Sequence, residues 1–167
     1  QARHRVIIFG IREDLFKSTP DILKTKSGRI TINDVIDDLP RLRSGLSKGE
    51  DSPEKWLDAI LAIENAMWKD AVSDKIASTL NSELKKVNAN LSRGAAYIST
   101  SKRPRKHVGW YVDSKLKGIC THESRSHIPD DLRRYFFAAV FARVNHRSPT
   151  LSDFPKALLP NHKNVAE

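Results

Sequence analysis

The sequence predicts a mixed α/β chain: one strand buried on both faces at its beginning, followed by an α+β region. Three observations carry that expectation. Val6-Ile7-Ile8-Phe9-Gly10-Ile11 has no polar residue to alternate with, the pattern of a strand covered on both sides. From Trp56 to Leu91 apolar residues recur at helical spacing, which marks amphipathic helices. Val108–Val112 and Lys117–Thr121 are rich in β-formers around Asp113-Ser114-Lys115, which predicts a hairpin.

Taken in order, the opening strand is entered by Arg3 and Arg5. Positions i and i+2 of an extended chain share a face, so these two form a paired cationic grip fit for a phosphate or a base edge. So abrupt an opening reads as a piece of something longer. Residues 12–29, with Pro20 and Gly28, read as a loop. Asn33 is the expected N-cap of a short helix that Pro40 ends. Residues 41–51, with Gly45 and Gly49, read as a flexible connection.

Ser52-Pro53-Glu54 predicts a helix start: a capping hydroxyl, a proline at the first position and an early acid. The stripe then runs Trp56, Ile60, Ile63, Met67 and resumes at Val72, Ile76, Leu80, Leu84, Val87, Leu91. The long step from Met67 to Val72 predicts two helices or one bent one, ending near Ser92-Arg93-Gly94, with Met67 and the aromatic residues in the core. A basic loop precedes the hairpin. Ile128-Pro129-Asp130-Asp131 opens a last helix with Leu132, Phe136, Val140 and Val144 as its stripe and Tyr135, Phe137 and Phe141 beside it. The tail from Ser148 carries three prolines and short apolar steps, and reads as an irregular segment packed on the rest.

Charge locates the candidate function. Residues 1–51 hold ten Lys/Arg against eight Asp/Glu, residues 52–92 five against six, and residues 93–167 fourteen against six. Nearly all of the net charge of +9 therefore sits in the last part, with five of the six histidines. Basic charge segregated in this way predicts a polyanionic partner, nucleic acid above all. Lys102, Arg103, Arg105, Lys106 and His107 form the densest cluster; they predict phosphate contacts, with Trp110 and Tyr111 adding contacts to sugar or base. No apolar run approaches the roughly 20 residues that span a bilayer, and the lone Cys120 forbids an internal disulfide. A reducing, cytoplasmic setting with no membrane partner is expected.

Two stretches also carry a family resemblance. Gln1-x-Arg3-x-Arg5, the apolar strand and Gly10-Ile11-Arg12 resemble the eighth conserved motif of the bacterial DNA cytosine-5 methyltransferases. His122-x-x-Arg125-x-His127, Asp131-Leu132-x-Arg134-Tyr135 and Ser148-Pro149-x-Leu151-x-x-Phe154-Pro155-x-x-Leu158-Leu159-Pro160-x-His162 resemble the recognition region of one branch, as does Asp38-Leu39-Pro40. The resemblance implies that residues 1–16 are a strand of the catalytic domain and 17–167 the target recognition region, with 44–92 a helical scaffold and 93–167 the DNA-facing part. It implies that Arg3 and Arg5 support the flipped cytosine and the backbone, and that Gln1 is the motif's leading glutamine. The parent reaction moves a methyl group from S-adenosylmethionine to carbon 5 of cytosine in duplex DNA, on a base extruded from the stack.

The family's Pro-Cys nucleophile motif, its Glu-Asn-Val motif and its glycine-rich cofactor loop do not occur in this chain, and Cys120 has no proline before it. The expectation is thus a chain that binds duplex DNA, binds no cofactor itself, and partners the catalytic and C-terminal segments. Gln1, Lys102, Arg103, Arg105, Lys106, His107, Trp110, His122, Arg125 and His127 are the candidate DNA-binding residues. For His122, Arg125 and His127 the reading preferred to a DNA role is a hydrogen-bonded polar cluster that fixes the loop before the last helix. Cys120, His122 and His127 lack the spacing of a zinc site, so no metal is expected. Two alternatives stand beside the methyltransferase reading: a stand-alone basic DNA-binding module, and a restriction-linked nuclease domain using Asp113 and Glu123 with Lys117.

Overall fold

The computed structural model describes residues 28–161 together with Ile8, 10–18 and Asp21. Among these it holds five α-helices and two two-stranded sheets, a mixed helix-and-strand architecture. In chain order these are α1 (Asn33–Ile36), β1 (Gly45–Leu46), α2 (Pro53–Leu61), α3 (Asp74–Leu84), β2 (Gly94–Ser99), α4 (Val108–Tyr111), β3 (Gly118–Glu123), β4 (Ser126–His127) and α5 (Pro129–Asn145). No described helix is long and apolar enough to cross a membrane.

The core is helical. Ser52 is extended at the head of α2, its hydroxyl accepts the Lys55 backbone N–H at 3.2 Å, and Pro53 occupies the first position, as the sequence predicts. Trp56, Ile60 and Ile63 are buried, and in α3 so are Ile76, Leu80 and Leu84. Two separate helices form, the first of the two arrangements that the long step from Met67 to Val72 predicts. The chain between them turns through a 3-10 segment, Met67–Ala71. There Trp68 points inward, its ring edge-on to Phe137 at 5.9 Å. Its neighbour Met67 is left 87% exposed, which corrects the expectation that it is core. α3 also stops at Leu84, well before the predicted end at Ser92–Gly94, and Val87 packs on the core from irregular chain.

α5 lies against both α2 and α3. Contact on two sides widens its buried face: Leu132, Phe137, Val140 and Phe141 are buried, while Phe136 and Val144 are only partly covered. Asp130 and Asp131 in the first turn favour the helix dipole and pair with Arg133 at 3.1 Å and Arg134 at 2.7 Å. Arg134 also donates to the carbonyls of Leu158 and Leu159 at 2.7 and 3.3 Å, tying down the tail. Phe154 stands 5.0 Å from Phe137, and Leu158 is buried. The tail is thus the last layer of the core, as its apolar steps predict.

The strands depart further from expectation. Of the predicted strand Val6–Ile11 only Ile8, Gly10 and Ile11 are described; none is in a strand, and Ile8 is 89% exposed. The predicted strand Val108–Val112 is instead a helical turn, since α4 occupies Val108–Tyr111. β3 instead pairs antiparallel with β2, in the register Gly94↔Glu123 to Ser99↔Gly118. Gly94 has φ +87°, and a Cβ there would overlap the carbonyl oxygen of His122. Only glycine allows the strands to approach so closely.

Residues 41–51 are not a flexible connection. β1 pairs parallel with β4, and Arg43 is 6% exposed, with its guanidinium on Asp51 at 2.8 and 3.3 Å. Arg93 reaches the same carboxylate at 3.4 Å and Ser126 at 3.3 Å. This ion cluster fastens the chain ahead of α2 to the ends of the β2–β3 sheet. Arg43 foremost, then the Leu46 backbone N–H and Arg93, hold the Asp51 carboxyl below its ordinary range against its partial burial.

Candidate nucleic-acid interface

The connection from β2 to β3 runs from Thr100 to Lys117 and carries the whole predicted basic cluster. Its geometry follows from three local features. Thr100 accepts the Lys102 backbone N–H on its hydroxyl at 3.1 Å, Pro104 is buried, and His107 takes a left-handed conformation with φ 58°. That reversal starts α4, whose single turn ends in Tyr111.

The structure divides the cations of this loop into two kinds. Arg105 pairs with Asp37, and Lys106 pairs with Asp34 at 3.2 Å while its backbone N–H donates to the Asp34 carbonyl at 2.9 Å. These contacts fasten the loop onto α1. Asp34 is itself held by the Thr31 backbone N–H at 2.9 Å and the Thr31 hydroxyl at 3.0 Å. Those two bonds, with Lys106, keep its carboxyl below the ordinary aspartate range. Asn33 is thus the first helical residue rather than the predicted N-cap; Ile32 stands at that position without a side-chain cap, and the Thr31 hydroxyl accepts the Asp34 backbone N–H at 3.3 Å. Lys102 and Arg103 have no acidic partner among the described residues; Arg103 donates to the carbonyls of Thr100 and Lys102 at 3.4 and 2.8 Å. Both residues are exposed.

On the same connection α4 exposes aromatic surface, and Tyr111 shares the cavity lining with the two cations. Trp110 is 84% and Tyr111 56% exposed. Exposed aromatic rings next to uncompensated cations match what unstacked bases and phosphates bind. Between α1, the loop and the start of β3 lies a cavity of about 310 Å³, lined by Leu39, Tyr111, Leu116 and Ile119, with Asp38, Lys102 and Arg103 in its walls. One carboxylate oxygen of Asp38, Oδ1, is buried and has no hydrogen-bond partner among the described residues.

The other sequence-predicted residues are placed apart from this surface. His122, on β3, is half-buried, with Nε2 2.8 Å from the Pro40 carbonyl. His127, on β4, meets Tyr135 edge-on at 5.2 Å. Arg125 is exposed, and its carbonyl accepts the Gly45 N–H at 3.1 Å. The three do not hydrogen-bond one another; each ties a different strand end to a different neighbour. Gln1, Arg3 and Arg5 lie outside the described residues. Asp113 accepts the Lys115 N–H at 2.9 Å in a local turn, and no group of three or more His, Cys, Asp or Glu side chains gathers among the described residues.

Sequence reasoning placed Tyr111 at this surface but missed Asp34, Asp37 and Asp38 as parts of it. The signal was the acidic run Asp34-x-x-Asp37-Asp38, whose charge complements Arg105 and Lys106. Comparison of the chain with protein-family models, curated proteins and solved structures finds no match.

Proposed function

We propose that this chain is the DNA-binding, target-recognition part of a DNA cytosine-5 methyltransferase. The observation that carries the DNA reading is the β2–β3 connection. Arg105 and Lys106 fasten it to α1, while Lys102, Arg103 and Trp110, all on this connection, are exposed. In this reading the two cations contact phosphates and Trp110 stacks on a base or packs on sugar. The methyltransferase part rests on the motif resemblance of residues 1–12, 38–40 and 122–162. Methyl transfer itself belongs to segments bearing the Pro-Cys and Glu-Asn-Val motifs, with S-adenosylmethionine bound there and not on this chain.

Fluorescence anisotropy with duplex DNA at increasing salt tests the first part. Each phosphate contact contributes about −0.9 to the slope of log K against log salt. The Lys102→Ala/Arg103→Ala protein is expected to have a slope shallower by roughly 2. Trp110→Ala is expected to weaken binding about 5- to 100-fold, the worth of one stacked base. Wild-type protein that fails to bind DNA at low salt, or a double variant with an unchanged slope, sinks the reading. The second part is tested by mixing the chain with the motif-bearing segments and S-adenosylmethionine. DNA binding without any methyl transfer in that mixture favours a stand-alone binding module.

A further inference from the structure

The cavity between α1 and the β2–β3 connection joins two kinds of surface. Ile36, Leu39, Leu116 and Ile119 make its walls apolar, and Tyr111 adds an aromatic ring. Ile36, Tyr111 and Leu116 are 46%, 56% and 47% exposed, so this apolar surface is within reach of a ligand. Open apolar carbon in a concave surface is the usual lining of a binding site. Four charged residues share the walls: Lys102, Arg103, Asp38 and Asp113. Their charges cancel, so a bare anion gains no net attraction. The acids are nevertheless held differently from the cations. Asp38 is half-buried, and Asp113 accepts the Lys115 N–H in its own turn. Lys102 and Arg103 are exposed and have no acidic partner among the described residues. Long basic side chains lay their stems on apolar surface and keep the charged head in water. The ligand that uses all of this is a flat ring carrying an anion a short distance outside the cavity.

We propose that this cavity takes one unstacked nucleobase, with the phosphate of that nucleotide at Lys102 and Arg103. The ring lies against Tyr111 and the aliphatic walls, held by stacking and burial. Every base has a π-face, so recognition of this kind tolerates any base. A volume of about 310 Å³ is at the small end of ligand sites, suited to a single ring system. A lipid tail would leave both cations unused, and an inorganic anion would leave the apolar walls wet. Trp110 is outside the cavity lining and is a separate aromatic surface on the same helical turn. The same chemistry describes a free nucleotide and a nucleotide displaced from a DNA strand. The second source rests on the nucleic-acid reading above; the cavity site itself does not depend on the methyltransferase resemblance.

The test uses the full chain and compares four probes: a paired duplex, the same duplex with one bulged thymidine, the same with one bulged abasic nucleotide, and thymidine monophosphate alone. The two bulges carry the same extra backbone and differ only in the base. The bulged thymidine is expected to bind about tenfold tighter than the abasic bulge, within the worth of one stacked base. Cys120 reports where the base goes, because it is the chain's single cysteine, is exposed and lines the cavity. Its alkylation by iodoacetamide should slow several-fold with the bulged thymidine and keep the paired-duplex rate with the abasic bulge. Leu116→Trp, which fills the cavity from a half-exposed position, should bring the affinity ratio of the two bulges to unity, in a variant with wild-type circular dichroism. Thymidine monophosphate that slows the alkylation while no duplex binds supports the base site and overturns only the DNA reading. Where duplex binds, equal affinity for the two bulges, alkylation indifferent to the base, or a preference that survives Leu116→Trp overturns the proposal. So does a chain that neither binds duplex nor responds to thymidine monophosphate.

Discussion

Replacing Phe137 by alanine puts the described core to its sharpest test. The side chain is 0% exposed and touches three aromatic neighbours: Trp68 edge-on at 5.9 Å, Phe141 at 5.9 Å and Phe154 at 5.0 Å. Those residues come from the inter-helix turn, from α5 itself and from the tail, so one ring holds three parts of the chain. Truncation of a buried phenylalanine costs about 3–5 kcal/mol through lost transfer energy and residual cavity. The aromatic pairs each add about 0.5–1.5 kcal/mol beyond their area, which places this site at the upper end, about 5 kcal/mol. For a chain of this size each kcal/mol moves the midpoint by roughly 2–4 °C. Thermal unfolding followed by circular dichroism should therefore show Tm lower by roughly 10–20 °C. Phe137→Leu keeps apolar bulk and should lose about half as much. Met67→Ala, at a residue 87% exposed, should stay within about 0.5 kcal/mol of wild type. A loss under about 2 kcal/mol for Phe137→Ala, or an equal loss for Met67→Ala, refutes this description of the core.

Two further outcomes follow from the strands and the ion pairs. Gly94→Ala should break the β2–β3 pairing, because the new methyl group meets the His122 carbonyl and φ +87° disfavours it. DNA binding and amide protection across Tyr97–Cys120 should fall together, and protected amides in the variant would contradict the register. Asp153 is held well below the ordinary aspartate range, chiefly by Arg147 at 2.6 and 2.7 Å, then by the Thr150 N–H. A depressed folded pKa means the unfolded chain binds the proton first. The contribution is thus full above the unfolded value, about 4, and is lost as pH falls below it. Tm against pH should drop more steeply for wild type than for Asp153→Asn in acid; parallel curves would remove Asp153 from that account.

What could be read along the chain was what neighbouring residues decide among themselves. Ser52-Pro53 starts α2 because a hydroxyl and a proline suit orphan helix ends. Pro129 with Asp130 and Asp131 starts α5 for the same reason. The basic loop was legible as composition, yet not its division into Arg105 and Lys106, held by α1, and Lys102 and Arg103, left free of acids among the described residues. That division depends on Asp34 and Asp37, far away in sequence. The segment 41–51 looked flexible because glycine and serine are locally permissive, whereas Arg43 gains its order from Asp51 and the Ser92 carbonyl.

Sequence alone determined three things: that amphipathic helices follow Ser52 and Ile128, that the tail packs on them, and that the excess positive charge gathers after residue 92. Capping, periodicity and charge are properties of short stretches, and they survive in any arrangement of the chain. Tertiary structure decided which strand β3 pairs with, that Val108–Tyr111 turns as a helix, that Trp68 rather than Met67 faces inward, and that Asp38 stands in a cavity. Each of those is a choice among distant partners, settled by which loop closures bury the most apolar surface and satisfy the most polar groups at once.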